Sequence, residues 1–208
     1  MPGETCLNLW IGIGAALWLL LAVVGWWVER SPMSPRPDLS TALAAWLIRV
    51  YLRVVHGMKV EGQRNRDAAV ALLEGRDGTA PRGLIVTVNH AAGIDPLLVQ
   101  SSVPFFIRWL AALDTVSPTV RPFVDFADVI FLTSGGAGSE LAGVRQVIRY
   151  LQGDPSHPHT RGRPGAVGLF PEGRIARRPG VITPFQPGVG VMIARSRAVV
   201  LPVVLRGV

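Results

Sequence analysis

The longest uninterrupted apolar stretch comes first. Leu7 to Val28 reads LNLWIGIGAALWLLLAVVGWWV, 22 residues without a charge. A helix of that length is about 33 Å long, which matches a hydrocarbon core of about 30 Å. Trp10 lies near one end and Trp26 and Trp27 at the other, where amphipathic rings favour the interface. The pattern predicts a transmembrane or deeply inserted helix. A cleaved signal peptide is the competing reading. It needs a basic leader and a small-x-small site, whereas Glu4 precedes the run and no such site follows Trp27. Ser31 to Asp38 (SPMSPRPD) is a Pro-rich connector that cannot be helical throughout. Thr41 to His56 is apolar again, with Arg49, Arg53 and His56 at i, i+4 and i+7. One narrow basic stripe on an apolar helix predicts a segment lying in the headgroup layer. The alternative is a core-facing helix with an exposed Arg edge.

From Lys59 the pattern changes. Four short apolar runs, 84–88, 129–132, 166–170 and 199–205, read as strands, the first three buried on both faces. Pro202 in the last run cannot donate to a ladder, so that strand belongs at an edge or a bulge. Between the second and third runs, Leu141, Val144, Val147, Ile148 and Leu151 recur at helical spacing with Arg145 and Arg149 opposite. That predicts an amphipathic helix over 139–152, capped by Ser139. A further helix is predicted from Gly188, and 153–165 is a polar loop rich in Gly and Pro. Together these predict an α/β fold: a mixed, mostly parallel sheet covered by helices, behind an N-terminal membrane-anchoring helical segment. Five of the six tryptophans lie in residues 1–46. The boundary therefore falls near Met58, dividing N-terminal helices (1–57) from an α/β domain (58–208).

Composition narrows the class. Hydrophobic residues are 49% of the 208, which rules out a disordered chain, and the single cysteine, Cys6, rules out a disulfide scaffold. No Cys/His cluster has zinc-site spacing, so no metal is expected. The net charge of +7 points to an acidic partner: nucleic acid, an anionic membrane or a phosphorylated substrate. Arg supplies all the positive charges but Lys59. That suits phosphate binding, though codon bias gives the same skew. Residues 1–160 are balanced, and the whole excess lies in 161–208, where eight arginines face Glu172 alone. No basic patch interleaved with aromatics supports a nucleic-acid binder. Arg30, Arg36, Arg49 and Arg53 follow the first apolar run, which places the bulk of the chain on the cytoplasmic side of the inner membrane.

Two motifs carry candidate chemistry. Asn89-His90-Ala91-Ala92-Gly93-Ile94-Asp95-Pro96 comes straight off the first strand. A histidine there can accept a proton near neutral pH. A carboxylate five residues on can hold its other ring N–H, the orienting logic of a hydrolase triad, with Gly93 easing the turn. No Gly-x-Ser-x-Gly elbow is present, and Cys6 sits in the apolar leader, so the nucleophile would come from the substrate. A His-x4-Asp pair alone also fits a loop histidine beside a helix-capping aspartate. The second motif, Phe170-Pro171-Glu172-Gly173-Arg174-Ile175-Ala176-Arg177, leaves another buried strand. It sets a Glu-Gly beside Arg174, Arg177 and Arg178, guanidinium groups suited to an anion. His157 and His159 read as solvated loop residues, and Gly135 to Gly138 as a turn without a phosphate-loop lysine.

NHxxxxD, then FPEG about 80 residues later, then Val200-Leu201-Pro202-Val203, behind an apolar N-terminal helix, resembles the glycerolipid acyltransferase family (PlsC-like lysophosphatidate acyltransferases) over roughly residues 56–205. The resemblance implies transfer of a fatty acyl group from acyl-CoA or acyl-carrier protein to the hydroxyl of a lysophospholipid such as 1-acylglycerol-3-phosphate, at the bilayer and without a cofactor. It makes His90 the general base and Asp95 its orienting group. It gives Glu172 and Gly173 a part in binding the acceptor's glycerol-phosphate. FPEGRIA is similar to a branch that reacylates lysophosphatidylethanolamine. The middle family motif usually ends in an arginine for the acceptor phosphate. Here Asp128 to Thr133 (DVIFLT) ends without one, so Arg174, Arg177 and Arg178 are the candidates for that role. The chain stops directly after the Val-Leu-Pro-Val strand, as a short member or a fragment would. A catalytically silent lipid-binding protein of the same fold is the alternative.

Overall fold

The computed structural model describes residues 3–29, 38–112, 121–132, 137–156, 162–176 and 181–207. The connector at 31–37, His157, His159, Arg177 and Arg178 lie outside them. In chain order the elements are α1 (Gly3–Glu29), α2 (Leu39–Val54), α3 (Gln63–Glu74), β1 (Leu84–Val88), α4 (Asp95–Ser102), β2 (Ile107–Ala112) and α5 (Arg121–Phe126). They continue with β3 (Ile130–Leu132), α6 (Ala137–Gln152), β4 (Ala166–Leu169), α7 (Pro187–Ser196) and β5 (Val199–Val203).

The strands form one sheet in the order β3-β2-β4-β1-β5, and every pairing is parallel. A mixed sheet was expected. The structure is wholly parallel among the described residues because a helix lies between each strand and the next, so no hairpin forms. Side chains alternate along β1: Leu84, Val86 and Val88 join Ala69 of α3 and Val99 of α4 on one face, while Ile85 meets α6 and α7 on the other. Two apolar layers thus enclose the sheet. Pro202 lies on edge strand β5, where a missing N–H costs least.

β2 is the strand that hydropathy does not disclose, because Arg108 interrupts its apolar run. Arg108 is only 5% exposed. Its Nε donates to the Asp128 carbonyl at 2.8 Å and its Nη2 to the Asp128 carboxylate at 2.9 Å, and its guanidinium lies 5.2 Å from the Tyr150 ring centroid. The charge is tolerated because it is paired at once. Asp128 adopts a left-handed backbone, φ +49°, just before β3. Burial pushes the Tyr150 hydroxyl up to about 12.

α6 begins at Ala137, so Ser139 lies inside it and is not its cap. α2 begins at a capping box: the Asp38 carboxylate accepts the Thr41 N–H at 2.7 Å, and Thr41 Oγ1 accepts the Asp38 N–H at 3.0 Å. Its orientation differs from the core-facing reading. Thr41, Ala42, Ala45 and Leu52 are buried, and Arg49 Nε donates to the Ser101 carbonyl in α4 at 3.1 Å. Leu39, Leu43, Trp46, Leu47, Val50, Tyr51 and Val54 are exposed. The small face packs because it permits close approach. The basic stripe is split: Arg49 turns to the protein, whereas Arg53 and His56 are exposed. Along α1, whose described side chains run from Ile13 to Val28, Leu17, Trp18, Leu20, Leu21 and Val23 are exposed. Among the described residues no helix is long and apolar enough to cross a membrane.

Arg108→Ala should destabilise the domain by about 1–3 kcal/mol, since it removes a charged hydrogen-bond partner from a partly buried carboxylate. Urea unfolding of the two proteins at neutral pH measures the difference.

Candidate active site

The parallel sheet brings the C-terminal ends of its strands to one edge, the usual place for a site in such folds. β1 delivers Asn89 and His90 there. Asn89 acts as a side-chain extension of the ladder: Nδ2 donates to the Leu205 carbonyl at 3.1 Å, and Oδ1 accepts the Leu205 N–H at 2.7 Å. This ties the exit of β1 to the chain after β5.

The next four residues fold back on Asp95, the first residue of α4, which is fully buried. Its Oδ2 accepts three hydrogen bonds: from Ala91 N–H at 2.7 Å, Ala92 N–H at 2.8 Å and His90 Nδ1 at 2.9 Å. The start of a helix favours a negative charge, and the two amides complete the cage. The loop closes through these bonds and not through Gly93, whose backbone is not left-handed. Because Oδ2 accepts, Nδ1 carries the proton and Nε2 keeps its lone pair. The His90 side chain is 17% exposed, and its ring lies on that of Phe170 with centroids 3.8 Å apart and planes at 15°.

Glu172 reaches the same edge from β4, but it is buried, at 1% exposure. Its Oε2 accepts the Thr183 N–H and the Thr183 hydroxyl, each at 2.8 Å. Its Oε1 accepts a longer bond from the His90 N–H, at 3.4 Å. Burial pushes this carboxyl upward. The Thr183 N–H and hydroxyl, the His90 N–H and the nearby imidazole outweigh it and hold the group below its ordinary value. Both oxygens are thus met by protein donors. Gly173 is left-handed, φ +69°, and a Cβ there would stand 3.0 Å from the Gln186 side chain. Gln186 N–H donates to the Pro171 carbonyl at 2.8 Å, and Ala176 N–H to the His90 carbonyl at 2.7 Å. The Glu-Gly turn is therefore stitched to the histidine loop on one side and to 183–186 on the other.

The fold unites His90, Asp95, Glu172 and Gly173. Arg174 is exposed on the turn, and Arg177 lies outside the described residues. Sequence reasoning missed Thr183, which had no local signature, and Phe170, quoted in the motif only as its first letter. Among the described residues, no group of three or more His, Cys, Asp or Glu is placed to hold a metal ion. Chemically, the edge offers a base with a free Nε2, a buried carboxylate that stabilises its protonated form, and a neighbouring guanidinium.

A solved structure, the 1-acyl-sn-glycerophosphate (LPA) acyltransferase PlsC from Thermotoga maritima, is similar at 16% identity, over 77% of this chain and 70% of that one, with a TM-score of 0.42. No curated protein matches. The Acyltransferase family signature matches residues 57–206, a span that holds all five strands and both motifs. The chain belongs to the Acyltransferase family.

Proposed function

We propose that the protein moves a fatty acyl group from an acyl thioester, acyl-CoA or acyl-carrier protein, to the hydroxyl of a lysophospholipid such as 1-acylglycerol-3-phosphate. The observation that carries this reading is the His90 Nδ1–Asp95 bond of 2.9 Å, which leaves Nε2 as the proton acceptor at the sheet edge. His90 Nε2 takes the proton of the lipid hydroxyl as its oxygen attacks the thioester carbonyl carbon. The carbon–sulfur bond of the tetrahedral intermediate then breaks. The departing thiolate receives the proton from His90, which yields the acylated lipid and a free thiol. Asp95 stays ionised and holds the imidazolium while it lasts. Glu172 and Gly173 hold the turn that presents Arg174, and Arg174, with Arg177, receives the acceptor phosphate.

The protein works at the inner membrane, with the catalytic domain on the cytoplasmic side. Two observations favour a bilayer: the exposed apolar stripe of α2, from Leu39 to Val54, and the exposed Leu and Trp side chains of α1. Neither surface suits water, and they belong to consecutive helices that pack together. In this reading α1 anchors the chain and α2 lies against the lipid.

His90→Ala should lose about 10²–10⁴-fold in turnover, and Asp95→Asn, which holds the wrong tautomer, should be severely impaired. Membranes containing each protein are given a panel of lysolipids with either donor, and the products are identified by mass spectrometry. Parent-rate transfer by His90→Ala would sink the mechanism. Arg174→Ala should raise the acceptor KM more than the donor KM; equal effects would remove its acceptor role. Glu172→Gln cannot accept every bond the carboxylate accepts and should cost about 1–3 kcal/mol at pH 7. Because the folded carboxyl lies below its ordinary 4.5, its stabilising contribution is present above that pH and is lost as pH falls further. Thermal unfolding of parent and variant should therefore converge as pH falls below 4.5.

A further inference from the structure

We propose that Phe170, backed by Trp109, is a positioning residue for His90: it fixes the plane of the imidazole and stabilises the imidazolium through its ring face. The inference rests on the reading of His90 as general base.

Three rings stand in a row across three adjacent strands. Trp109 is on β2, Phe170 follows β4 directly, and His90 follows β1 by one residue. The indole and Phe170 rings are 5.3 Å apart at 18°, and the Phe170 and His90 rings 3.8 Å apart at 15°. The column is possible because of Gly168. Trp109 is in register with Gly168 on the neighbouring strand, and a Cβ at 168 would stand 2.6 Å from Ile107 Cγ2 and 2.7 Å from the indole. With no Cβ there, the indole lies over the backbone of β4. Phe170 is two residues further along and on the same face, and it packs into the cluster that holds Trp109, Val86 and Val88. The ring beneath His90 is thereby seated on the rigid core.

The mechanism asks two things of this support. Asp95 grips the imidazole at one edge, through Nδ1, which sets its tautomer but leaves the tilt of the ring to other contacts. The stack supplies that second constraint and so fixes the line along which Nε2 meets the hydroxyl. When Nε2 takes the proton, the charge formed sits on the negative face of Phe170, an attraction that a neutral imidazole does not feel to the same degree. Such support acts in the proton-transfer step and leaves substrate affinity alone.

The test compares Phe170→Leu, which keeps an apolar side chain without a ring, with Phe170→Tyr, which keeps the ring. Each is measured in membranes for kcat, both KM values, the acid limb of the kcat–pH profile, and thermal unfolding. Phe170→Leu should lower kcat about tenfold with both KM values within about twofold. Its acid limb should move to lower pH by about half to one unit, because the imidazolium is less favoured. Phe170→Tyr should restore both. A folded Phe170→Leu with the parent kcat and limb would overturn the proposal, as would a Phe170→Tyr no better than Leu. Should Leu at 170 prevent folding, Trp109→Leu must lower kcat and move the limb in the same direction, and parent behaviour there would overturn it equally. His90→Ala is run beside them. If it turns over at the parent rate, the general-base reading falls. If it is inactive while Phe170→Leu is parent-like, only the role of the stack falls.

Discussion

Asp95 Oδ2 is where the active edge is held together. A carboxylate with no exposure to water is costly unless its charge is met, and here it meets two backbone amides, an imidazole N–H and the start of α4. Those bonds dictate the path of residues 89–94. Once the amides of Ala91 and Ala92 converge on one oxygen, the loop has no freedom to swing His90 away. The histidine then fixes the turn of the second motif, because its own N–H and carbonyl are bonded to Glu172 and Ala176. One buried charge therefore organises two loops that are 80 residues apart in the chain, and Glu172, equally buried, repeats the device with Thr183.

Hydropathy disclosed strands wherever both faces are apolar. β1, β3, β4 and β5 are nearly continuous apolar runs, and all lie within a residue or two of their expected bounds. β2 escaped because its burial includes a guanidinium, and nothing local announces that Asp128, twenty residues on, will neutralise it. The site followed the same logic. His90 and Asp95 were legible because their spacing and their place after a strand have a chemical meaning. Thr183 was not, since its function is to satisfy a carboxylate eleven residues earlier, a relation that exists only after the turn has formed. Phe170 was visible as a letter but not as a contact, because stacking needs the lateral order of β2, β4 and β1, which spacing along one chain does not contain.

α2 shows a different limit. Its apolar and polar positions were legible, and of its two readings the core-facing one, with the bulky apolar stripe inward and an Arg edge outward, is the reverse of what packs. Binary patterning assumes that the bulkiest apolar stripe turns inward. Here the inward stripe is Thr41, Ala42, Ala45 and Leu52, and the large residues Trp46, Leu47, Val50 and Tyr51 turn out. Small side chains let the helix approach closely enough for Arg49 to reach a carbonyl of α4. An outward Trp and Leu stripe is expensive in water, so the packing of the small face, and not the bulk of the apolar stripe, sets the orientation of this helix.

That reversal bears on how the site is placed. α4 is eight residues long, about 12 Å of helix. Its first residue is Asp95, which grips His90, and near its other end Ser101 accepts the bond from Arg49 of α2. The apolar-faced helix and the histidine–aspartate pair are thus attached to opposite ends of one short rigid element. Whatever medium the stripe of α2 contacts, the distance from that contact to Nε2 is set by helix geometry and not by a loop. The packing of α2 and the grip on the general-base candidate are thus two ends of the same eight-residue helix, and a change at either end is transmitted along a rigid element.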